Sequence, residues 1–316
     1  MTGRFYLVNS KWIIELDPLS GSALNEFQKK SLEMRMFNVG AGESILLRNQ
    51  SKAIFVDGGS NQRKERNVNL GDVLRKFLKN KVKLNVIVAS HNHVDHLNAL
   101  STMLKDPIDN ILAKDAYFYY NGEVMGTWLS RTLMNRMEKL EKKNLITIQE
   151  ITDFTKIGGF GKQNITMFVN GRNKPKPVYK SIFMHIPYGN ATFLLTGDAY
   201  KSYEDDLTED SQKSAYLRSD VLKITHHGSS GGTSENFLEN VRPAISVSSS
   251  TIDPNHKLES DVKKRILKHG GIIKVTGSED GDIIIRTDGY EWESEGDRGV
   301  LYEVDVEKPG IFNPDH

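Results

Sequence analysis

Short apolar runs separated by polar turns recur along most of this 316-residue chain. Runs of this kind, bounded by Gly, Asn or Asp, predict β-strands. The predicted strands cover residues 34–39, 44–49, 53–57, 84–90, 181–186, 191–196, 220–225, 244–249, 271–276 and 282–287. The connections at Asn49–Ser51 and Tyr188–Asn190 have the composition of hairpin turns, so the strands that flank each of them should pair.

Between the strands, apolar residues spaced three and four positions apart predict amphipathic helices. From Leu70 to Leu78 this spacing places the apolar side chains on one helix face. Further helices are predicted over about 128–142 and 258–268, and Gly270 should end the second of these. Strands early and late with helices between them favour an α/β fold, in which helices pack outside two β-sheets.

No linker rich in Gly, Pro or Ser divides the chain, so a single domain over residues 1–316 is the simplest interpretation. Its core should span about 34–288, with residues 1–33 and 290–316 as additions to that core. No apolar run approaches the length of a membrane span, and the first residues lack the features of a signal peptide. We therefore expect a cytoplasmic protein that has no membrane partner.

Composition narrows the chemistry that this chain can perform. Because it has no cysteine, disulfides, thiol nucleophiles and thiolate metal sites are excluded, and any metal must be held by His and carboxylate side chains. The net charge of +1 gives no global signature of nucleic-acid binding. Residues 161–180, however, carry five Lys or Arg and no acid. This stretch is either a solvated loop or a basic rim for a phosphate-bearing substrate.

The strand over 84–90 runs directly into the sequence HNHVDH, which has the character of a metal-binding loop. His91 and His93, two residues apart on an extended chain, point the same way. Asp95 and His96, on the following turn, can face a second metal. Two metals at about 3.5–4 Å can share a bridging water and lower its pKa toward neutrality. The loop therefore predicts half of a dimetal centre.

Other strands also end in His or Asp. Asp198 follows an apolar strand in FLLTGD, where its carboxylate could bridge two metals. His226 and His227 follow another strand; because adjacent side chains of an extended strand point in opposite directions, only one of them should bind metal. Asp57, in VDGG, is expected to accept a hydrogen bond from a metal ligand, with the glycines allowing close backbone approach.

The order of the motifs FNVGAGES, VDGG, HNHVDH, LLTGD and HHGSS resembles the metallo-β-lactamase fold superfamily. Within it, the chain is most similar to the hydrolase domain of bacterial competence DNA-uptake (ComEC-like) proteins, over about residues 34–288. Their membrane channel is missing here, so a stand-alone relative is expected. The resemblance implies an αβ/βα sandwich of two mixed β-sheets, with a dimetal site at the edge between them. It assigns the ligands as His91 and His93 for the first metal, Asp95, His96 and His227 for the second, and Asp198 as the bridge.

The chain departs from the superfamily pattern at one ligand position. Many dimetal members carry a further histidine shortly before the bridging aspartate, but residues 176–181 contain none, and His185 is a weaker candidate. The first metal should therefore be less completely coordinated. His256, after Asn255, matches an Asn-His element of the competence-type relatives. It is predicted to donate a proton to a leaving group or bind a phosphate oxygen; a helix-start or surface role is the alternative.

These observations predict a metal-dependent hydrolase in which Asp95 orients a metal-bridging hydroxide. Two zinc ions are the expected cofactors, with manganese as the alternative. The resemblance and the basic stretch favour a phosphodiesterase or nuclease-like activity on a phosphate-containing substrate, nucleic acid included. One alternative is a hydrolase of lactones, thioesters or small phosphodiesters. The other is a binding or regulatory module of the same fold with weakened catalysis.

Overall fold

Two β-sheets pack face to face in the computed structural model of the chain, and helices cover their outer faces. The structure describes residues 2–8, 11–16, 21–59, 70–78, 82–103, 108, 110–122, 127–169, 180–251, 253, 256–279, 281–289, 291–294 and 297–307. The strands are β1 (Thr2–Val8), β2 (Lys11–Leu16), β3 (Leu32–Met36), β4 (Ile45–Arg48), β5 (Ala53–Val56), β6 (Leu84–Ala89), β7 (Leu112–Tyr120), β8 (Ile146–Glu150), β9 (Phe154–Gly158), β10 (Asn164–Phe168), β11 (Phe183–Tyr188), β12 (Ala191–Leu195), β13 (Val221–Lys223), β14 (Ile245–Ser248), β15 (Ile272–Val275), β16 (Asp282–Thr287), β17 (Glu291–Ser294) and β18 (Asp297–Glu307). The helices are α1 (Gly21–Lys30), α2 (Leu70–Leu78), α3 (Val94–Met103), α4 (Trp128–Lys142), α5 (Lys201–Glu209), α6 (Glu235–Val241), α7 (Ser260–Lys268) and α8 (Thr276–Glu279).

The first sheet has the strand order β2-β1-β18-β16-β3-β4-β5-β6-β7-β8, and β17 pairs with β18 beside this path. Its strands from β5 to β8 run parallel to one another, whereas β3, β4 and β5 form an antiparallel meander. The Asn49 side chain caps the turn between β4 and β5 by accepting hydrogen bonds from the backbone N–H groups of Ser51 and Lys52, each at 3.0 Å. The hairpin predicted there is confirmed.

The second sheet has the order β15-β14-β13-β12-β11-β10-β9. Strands β12 to β15 are parallel, and β9 to β12 form an antiparallel meander that includes the predicted hairpin at Tyr188–Asn190. Each sheet is therefore mixed, with one parallel half. The carboxyl ends of parallel strands lie at one edge of a sheet, and such edges are where α/β proteins place their binding sites.

Apolar side chains fill the three interfaces between the layers. Between the sheets, the buried residues include Met34 and Val88 from the first sheet and Met167, Phe193 and Val221 from the second. The outer face of the first sheet is covered by α2, α3 and α4 through residues such as Leu74, Leu97 and Leu133, and that of the second by α5, α6 and α7 through Leu207, Phe237 and Val262. The predicted sandwich of two mixed sheets flanked by helices is confirmed.

The helix predictions agree with the structure to within two residues. Both α2 and α4 have the predicted bounds. Helix α7 begins at Ser260 rather than 258, because Glu259 is still extended (φ −68°, ψ 144°) at the N-cap position. Gly270, with φ +85°, adopts the left-handed conformation that commonly ends a helix.

Several strands are shorter than the apolar pattern predicts, because the chain leaves the sheet to build loops. Strand β3 ends at Met36, and Phe37 N–H then donates to Ser44 O at 2.9 Å, closing a loop. Strand β13 ends at Lys223, and residues 225–228 form a 3-10 turn. Both loops carry residues that face the candidate site.

The chain before residue 34 and after residue 290 contains strands that the sequence did not predict. Strand β18 pairs with β16 on one side and β1 on the other, so β1, β2, β17 and β18 extend the first sheet beyond its core. Within the described part of the chain, none of the helices combines the length and apolar character needed to cross a membrane.

Candidate metal centre

The predicted metal-binding side chains lie where the parallel strands of both sheets end. In the first sheet Asp57 follows β5 and His91 follows β6, and in the second Asp198 follows β12 and His227 follows β13. Because these strand ends lie at the edge between the packed sheets, the fold brings together residues that are far apart in sequence.

The HNHVDH loop leads directly into α3, so Asp95 lies in the first turn of that helix. Glycine permits the neighbouring VDGG turn to pack against it, since a Cβ on Gly59 would lie 1.7 Å from Asp95 O. Gly58 N–H also donates to His96 O at 2.7 Å. These contacts give the two glycines the close backbone approach expected from the sequence.

Four histidine rings converge on a single oxygen atom, Asp198 Oδ2. Its distances to the Nε2 atoms are 3.2 Å for His96, 3.4 Å for His227, 3.7 Å for His91 and 3.9 Å for His226. Asp95 Oδ2 lies 3.4 Å from His227 Nε2, and the Nε2 atoms of His96 and His227 are themselves 3.2 Å apart. Nitrogen and oxygen atoms this close are arranged as metal ligands are.

The converging atoms form two overlapping groups that share Asp198, each with potential ligand atoms within 4.8 Å of one another. The four-residue group consists of Asp95, His96, Asp198 and His227. The three-residue group consists of His91, His93 and Asp198. These are the six residues that the family resemblance assigned to a dimetal site, and the structure brings them together in two groups of the predicted composition.

Asp57 contacts the ring of His96 at Nδ1, on the side away from the cluster. Its Oδ2 lies 2.7 Å from His96 Nδ1 and also accepts a hydrogen bond from Ser90 Oγ at 2.6 Å, while its Oδ1 accepts one from Ser90 N–H at 2.7 Å. A carboxylate here requires the proton of a neutral His96 ring to be on Nδ1, which leaves the Nε2 lone pair facing the cluster.

Two serines support the other buried rings in a similar way. His227 Nδ1 lies 2.9 Å from Ser249 Oγ, and His91 Nδ1 lies 3.1 Å from Ser90 Oγ. Since Ser90 Oγ donates its own proton to Asp57, it accepts from His91 Nδ1, and the Nε2 atom of that ring also points into the cluster unprotonated.

Burial and mutual charge shift the pKa values of these groups strongly. Burial would raise the pKa of Asp198, but the facing His227 and His96 hold it well below its usual range. The pKa of His227 is raised to about 9 despite burial, chiefly by Asp198, and that of His96 is raised well above its usual value by Asp198 and Asp57. Burial and the charge on His96 lower the pKa of His91 instead. The positive charges of protonated His96 and His227 thus neutralise the buried carboxylates. A divalent cation bound at the same place could supply that positive charge instead.

The residues present fit a metal ion. His91 Nε2 is buried and has no hydrogen-bond partner among the described residues, although it faces a carboxylate. A buried polar atom without a partner costs free energy, about 1–3 kcal/mol, unless something binds it. His96 and His227 likewise point Nε2 atoms at each other, an arrangement that a shared cation would stabilise. The donor set of imidazole and carboxylate suits zinc or manganese.

The histidine pair does not have the extended conformation that the sequence interpretation assumed, so the expectation that its rings point in opposite directions is wrong. His226 (φ 48°) and His227 (φ 54°) are both left-handed, and both rings turn toward Asp198. Non-glycine residues in this region cost about 1–3 kcal/mol each and are concentrated at functional sites. Only His227 belongs to a ligand group; His226 is part-exposed, with its ring 4.8 Å from that of Tyr200.

Glu43 and Lys223 form a buried ion pair beneath the cluster, which the sequence analysis missed. Both side chains are essentially inaccessible to solvent. Burial raises the pKa of Glu43 although Lys223 opposes it, and the pKa of Lys223 is raised by Glu43 and Asp198 against the effect of burial. The sequence contained one signal for this pair, a lysine inside the apolar run DVLKIT, since lysine is rarely buried without a partner.

Other predicted residues lie outside the two groups. His256 is exposed, and its backbone bonds to Thr251 and Asp253; its catalytic role stays a prediction. His185 lies within β11 with its ring 5.7 Å from that of Tyr216, outside both ligand groups. Of the basic stretch, Lys162 is exposed and Lys180 part-buried, whereas residues 170–179, like Asn255, lie outside the described residues.

Comparison with known proteins agrees with this geometry. The model of the metallo-beta-lactamase superfamily matches residues 37–249, which include both ligand groups. The chain belongs to the metallo-β-lactamase superfamily. The predicted family is thereby confirmed, and with it the coarse function of a metal-dependent hydrolase.

One curated protein is similar in sequence, ComE operon protein 3 of Bacillus subtilis (strain 168), with 23% identity over 232 residues. The match covers 68% of this chain but only 28% of that protein. Among solved structures, Tm1679, described as a metal-dependent hydrolase of the β-lactamase superfamily, aligns at a TM-score of 0.46 with 12% identity, covering 77% of this chain and 95% of its own. Unliganded yeast PDE1 aligns at 0.45 with 11% identity, covering 77% and 97%.

Proposed function

We propose that the protein is a phosphodiesterase that uses two divalent metal ions, one at each ligand group. The observation that carries this proposal is the shared Asp198, because a common ligand allows two ions to lie side by side. Pairs of ions about 3.5–4 Å apart suit phosphoryl transfer, since they stabilise charge on both the attacking and the leaving oxygen. We propose zinc as the metal, with manganese as the alternative, and a phosphodiester as substrate, including that of a nucleic acid.

The chain's own residues hold the ligands ready for this chemistry. Divalent ions, when bound, supply a water of lowered pKa and stabilise charge on a phosphoryl oxygen. Asp57 fixes the His96 ring with its Nε2 atom directed inward, and Ser249 contacts Nδ1 of His227. Ligands fixed in this way lose little freedom when they bind metal or substrate.

Asp95 is the residue best placed to orient the attacking water. Its side chain is 34% exposed, in contrast to the buried Asp198, so its carboxylate faces the side from which substrate enters. Burial raises its pKa, but the hydrogen bond from His227 prevails and holds the pKa below the usual range. Asp95 therefore stays ionised near neutrality and accepts a hydrogen bond from water, directing the oxygen lone pair toward phosphorus. We propose His256 as the proton donor to the leaving group.

A panel of substrates tests this function. Protein stripped with a chelator and reloaded with zinc or manganese is assayed against bis-p-nitrophenyl phosphate, single-stranded DNA, a lactone and a thioester. We expect cleavage of the phosphodiesters and no cleavage of the lactone, with activity lost on chelation and in Asp95→Asn. His269→Gln, a histidine that pairs with Glu235 outside the cluster, is the matched control and should keep full activity.

Three results would overturn the proposal. Faster cleavage of the lactone or thioester would move the protein to small-molecule hydrolysis. Full metal occupancy without cleavage of any member of the panel would favour a binding module of the same fold. Failure to bind any divalent ion would remove the basis of the mechanism.

A further inference from the structure

The Glu43–Lys223 pair contacts the two aspartates of the four-residue group, Lys223 at the side chain of Asp198 and Glu43 at the backbone of Asp95. Lys223 is the last residue of β13 in the second sheet, and Glu43 lies in the loop between β3 and β4 of the first. The pair thus joins the two sheets directly beneath the edge at which the ligands meet. Its position suggests a task beyond holding the sheets together.

Lys223 contacts Asp198 on the side away from the histidines. Its Nζ donates to Gly197 O at 2.7 Å and lies 3.6 Å from Asp198 Oδ1. The other oxygen, Oδ2, is the one that faces four histidine Nε2 atoms at 3.2–3.9 Å. The ammonium therefore distinguishes the two oxygens of this carboxylate: one faces a fixed positive charge, and the other is left for the cluster.

Glu43 contacts the second carboxylate ligand through its backbone. Its N–H donates to Asp95 O at 3.0 Å, and its own carbonyl accepts from Gly59 N–H at 3.0 Å. Its side chain neutralises Lys223 at the same time. Without that neutralisation, a buried ammonium beside Asp198 would repel any cation arriving at Oδ2.

We infer that Glu43 and Lys223 are positioning residues that fix Asp198 with Oδ2 toward the metals, and that Glu43 cancels the charge that would otherwise oppose metal binding. This inference rests on the proposed dimetal function and deepens it. Neither residue belongs to a ligand group, so the pair acts through Asp198 and Asp95.

The test compares zinc affinity in two charge-balanced double variants. Glu43→Gln/Lys223→Met removes the pair, and Glu33→Gln/Arg286→Met removes an ion pair with a nitrogen–oxygen distance of 2.8 Å from a largely buried charge cluster of the first sheet, outside both ligand groups. Each metal-free variant is titrated with Zn²⁺ in competition with a chelator, and its fold is checked by circular dichroism. Loss of a residue that orients a metal ligand typically lowers affinity about 10–100-fold.

In Glu43→Gln/Lys223→Met we expect zinc affinity to fall by this factor at both binding events, that is, for each of the two ions, because both ions share Asp198. The control variant should bind zinc with wild-type affinity. The visible spectrum of the Co²⁺-loaded protein should also change, since it reports ligand geometry, which a purely structural pair would leave intact. Wild-type zinc affinity and an unchanged cobalt spectrum in the folded test variant would show that the pair is only structural and overturn the inference.

Glu43→Gln alone gives a second test if the double variant does not fold. The amide keeps the shape of Glu43 but leaves Lys223 uncompensated, so zinc should bind more weakly; unchanged affinity would again overturn the inference. A result that overturns this inference about the pair can be distinguished from one that overturns the proposed function. Wild-type protein that binds two ions yet cleaves no phosphodiester contradicts the function while leaving the zinc-affinity comparison to decide the role of the pair.

Discussion

The two ligand groups that meet at Asp198 differ in how firmly the fold supports them. The four-residue group draws ligands from both sheets, and both of its histidines have a partner at Nδ1, the carboxylate of Asp57 for His96 and the hydroxyl of Ser249 for His227. The three-residue group also spans both sheets, through Asp198, but it has one ligand fewer. Its His93 is part-exposed, and its His91 is held at Nδ1 only by a hydroxyl.

From this difference we expect one metal position to bind tightly and the other more weakly. A carboxylate behind a ligand histidine increases the basicity of the ring and fixes its orientation, and a neutral hydroxyl does so less. Weaker binding at the three-residue group is also what its smaller number of ligands predicts. Four measurements test this difference between the two groups.

The largest effect should come from Asp198→Asn, because this residue belongs to both groups. We expect zinc affinity to fall by more than about 100-fold at both events, beyond the range for residues that only orient a ligand. Zinc titration of the metal-free protein measures this. Asp220→Asn, at a part-buried aspartate that accepts hydrogen bonds from Thr192 and Tyr302, is the control and should leave both affinities unchanged. A loss confined to one event would mean that Asp198 does not bridge.

The two adjacent histidines offer a matched pair for the four-residue group alone. His227→Ala should lose at least about 100-fold in affinity at the tighter event, because it removes a ligand. His226→Ala should keep both ions, since that ring lies outside both groups. Metal analysis of the purified variants decides between them. The reverse result would exchange the roles of the two histidines.

A smaller loss is expected when only the support of a ligand changes. Asp57→Asn keeps the shape of the side chain but removes the charge behind His96, so the tighter event should weaken by about 10–100-fold. The weaker event serves as an internal control, because Asp57 reaches that group only indirectly, through Ser90 and through His96. Equal weakening of both events would contradict the separation of the two groups.

The smallest effect is a difference in pH dependence. The pKa of His227 is raised to about 9, so below that pH the ring carries a proton that must leave when metal binds. Because the pKa of His96 is raised as well, metal binding at the four-residue group releases more than one proton, and its affinity should rise by more than about tenfold per pH unit as the pH approaches 9. Burial keeps the pKa of His91 low, so the three-residue group should depend less on pH above neutrality. Zinc titrations in a pH series test this, and parallel slopes would count against it.

Sequence reasoning located the candidate ligands because metal-binding residue types at strand ends leave a local pattern. HNHVDH, Asp198 and His227 each follow an apolar strand, and the structure brings them together. The same reasoning missed Glu43 and Lys223, because a charge pair between two sheets depends on which strands meet across the core, which local pattern does not contain. It also missed the left-handed backbone at His226 and His227, whose strain is compensated by tertiary contacts rather than by local preference.

The order of strands in the first sheet was likewise predictable only where neighbouring strands are close in sequence. The pairing of β5, β6, β7 and β8 follows from parallel strands linked through helices. The pairing of β18 with β1 and β16 joins opposite ends of the chain, both of which the sequence analysis interpreted as additions to the core. Long-range pairing of this kind depends on packing that the apolar pattern does not encode.

The 3.2 Å contact between the Nε2 atoms of His96 and His227 joins residues that are 131 positions apart in sequence. Closing a loop of that length has an entropic cost that must be met before the contact can form, so the two rings meet only once the sheets have packed. Occupancy of the four-residue group would therefore report the completeness of folding. A cation that binds only the closed arrangement would in turn lower the population of partly unfolded molecules, coupling the lifetime of the protein in the cell to its metal supply.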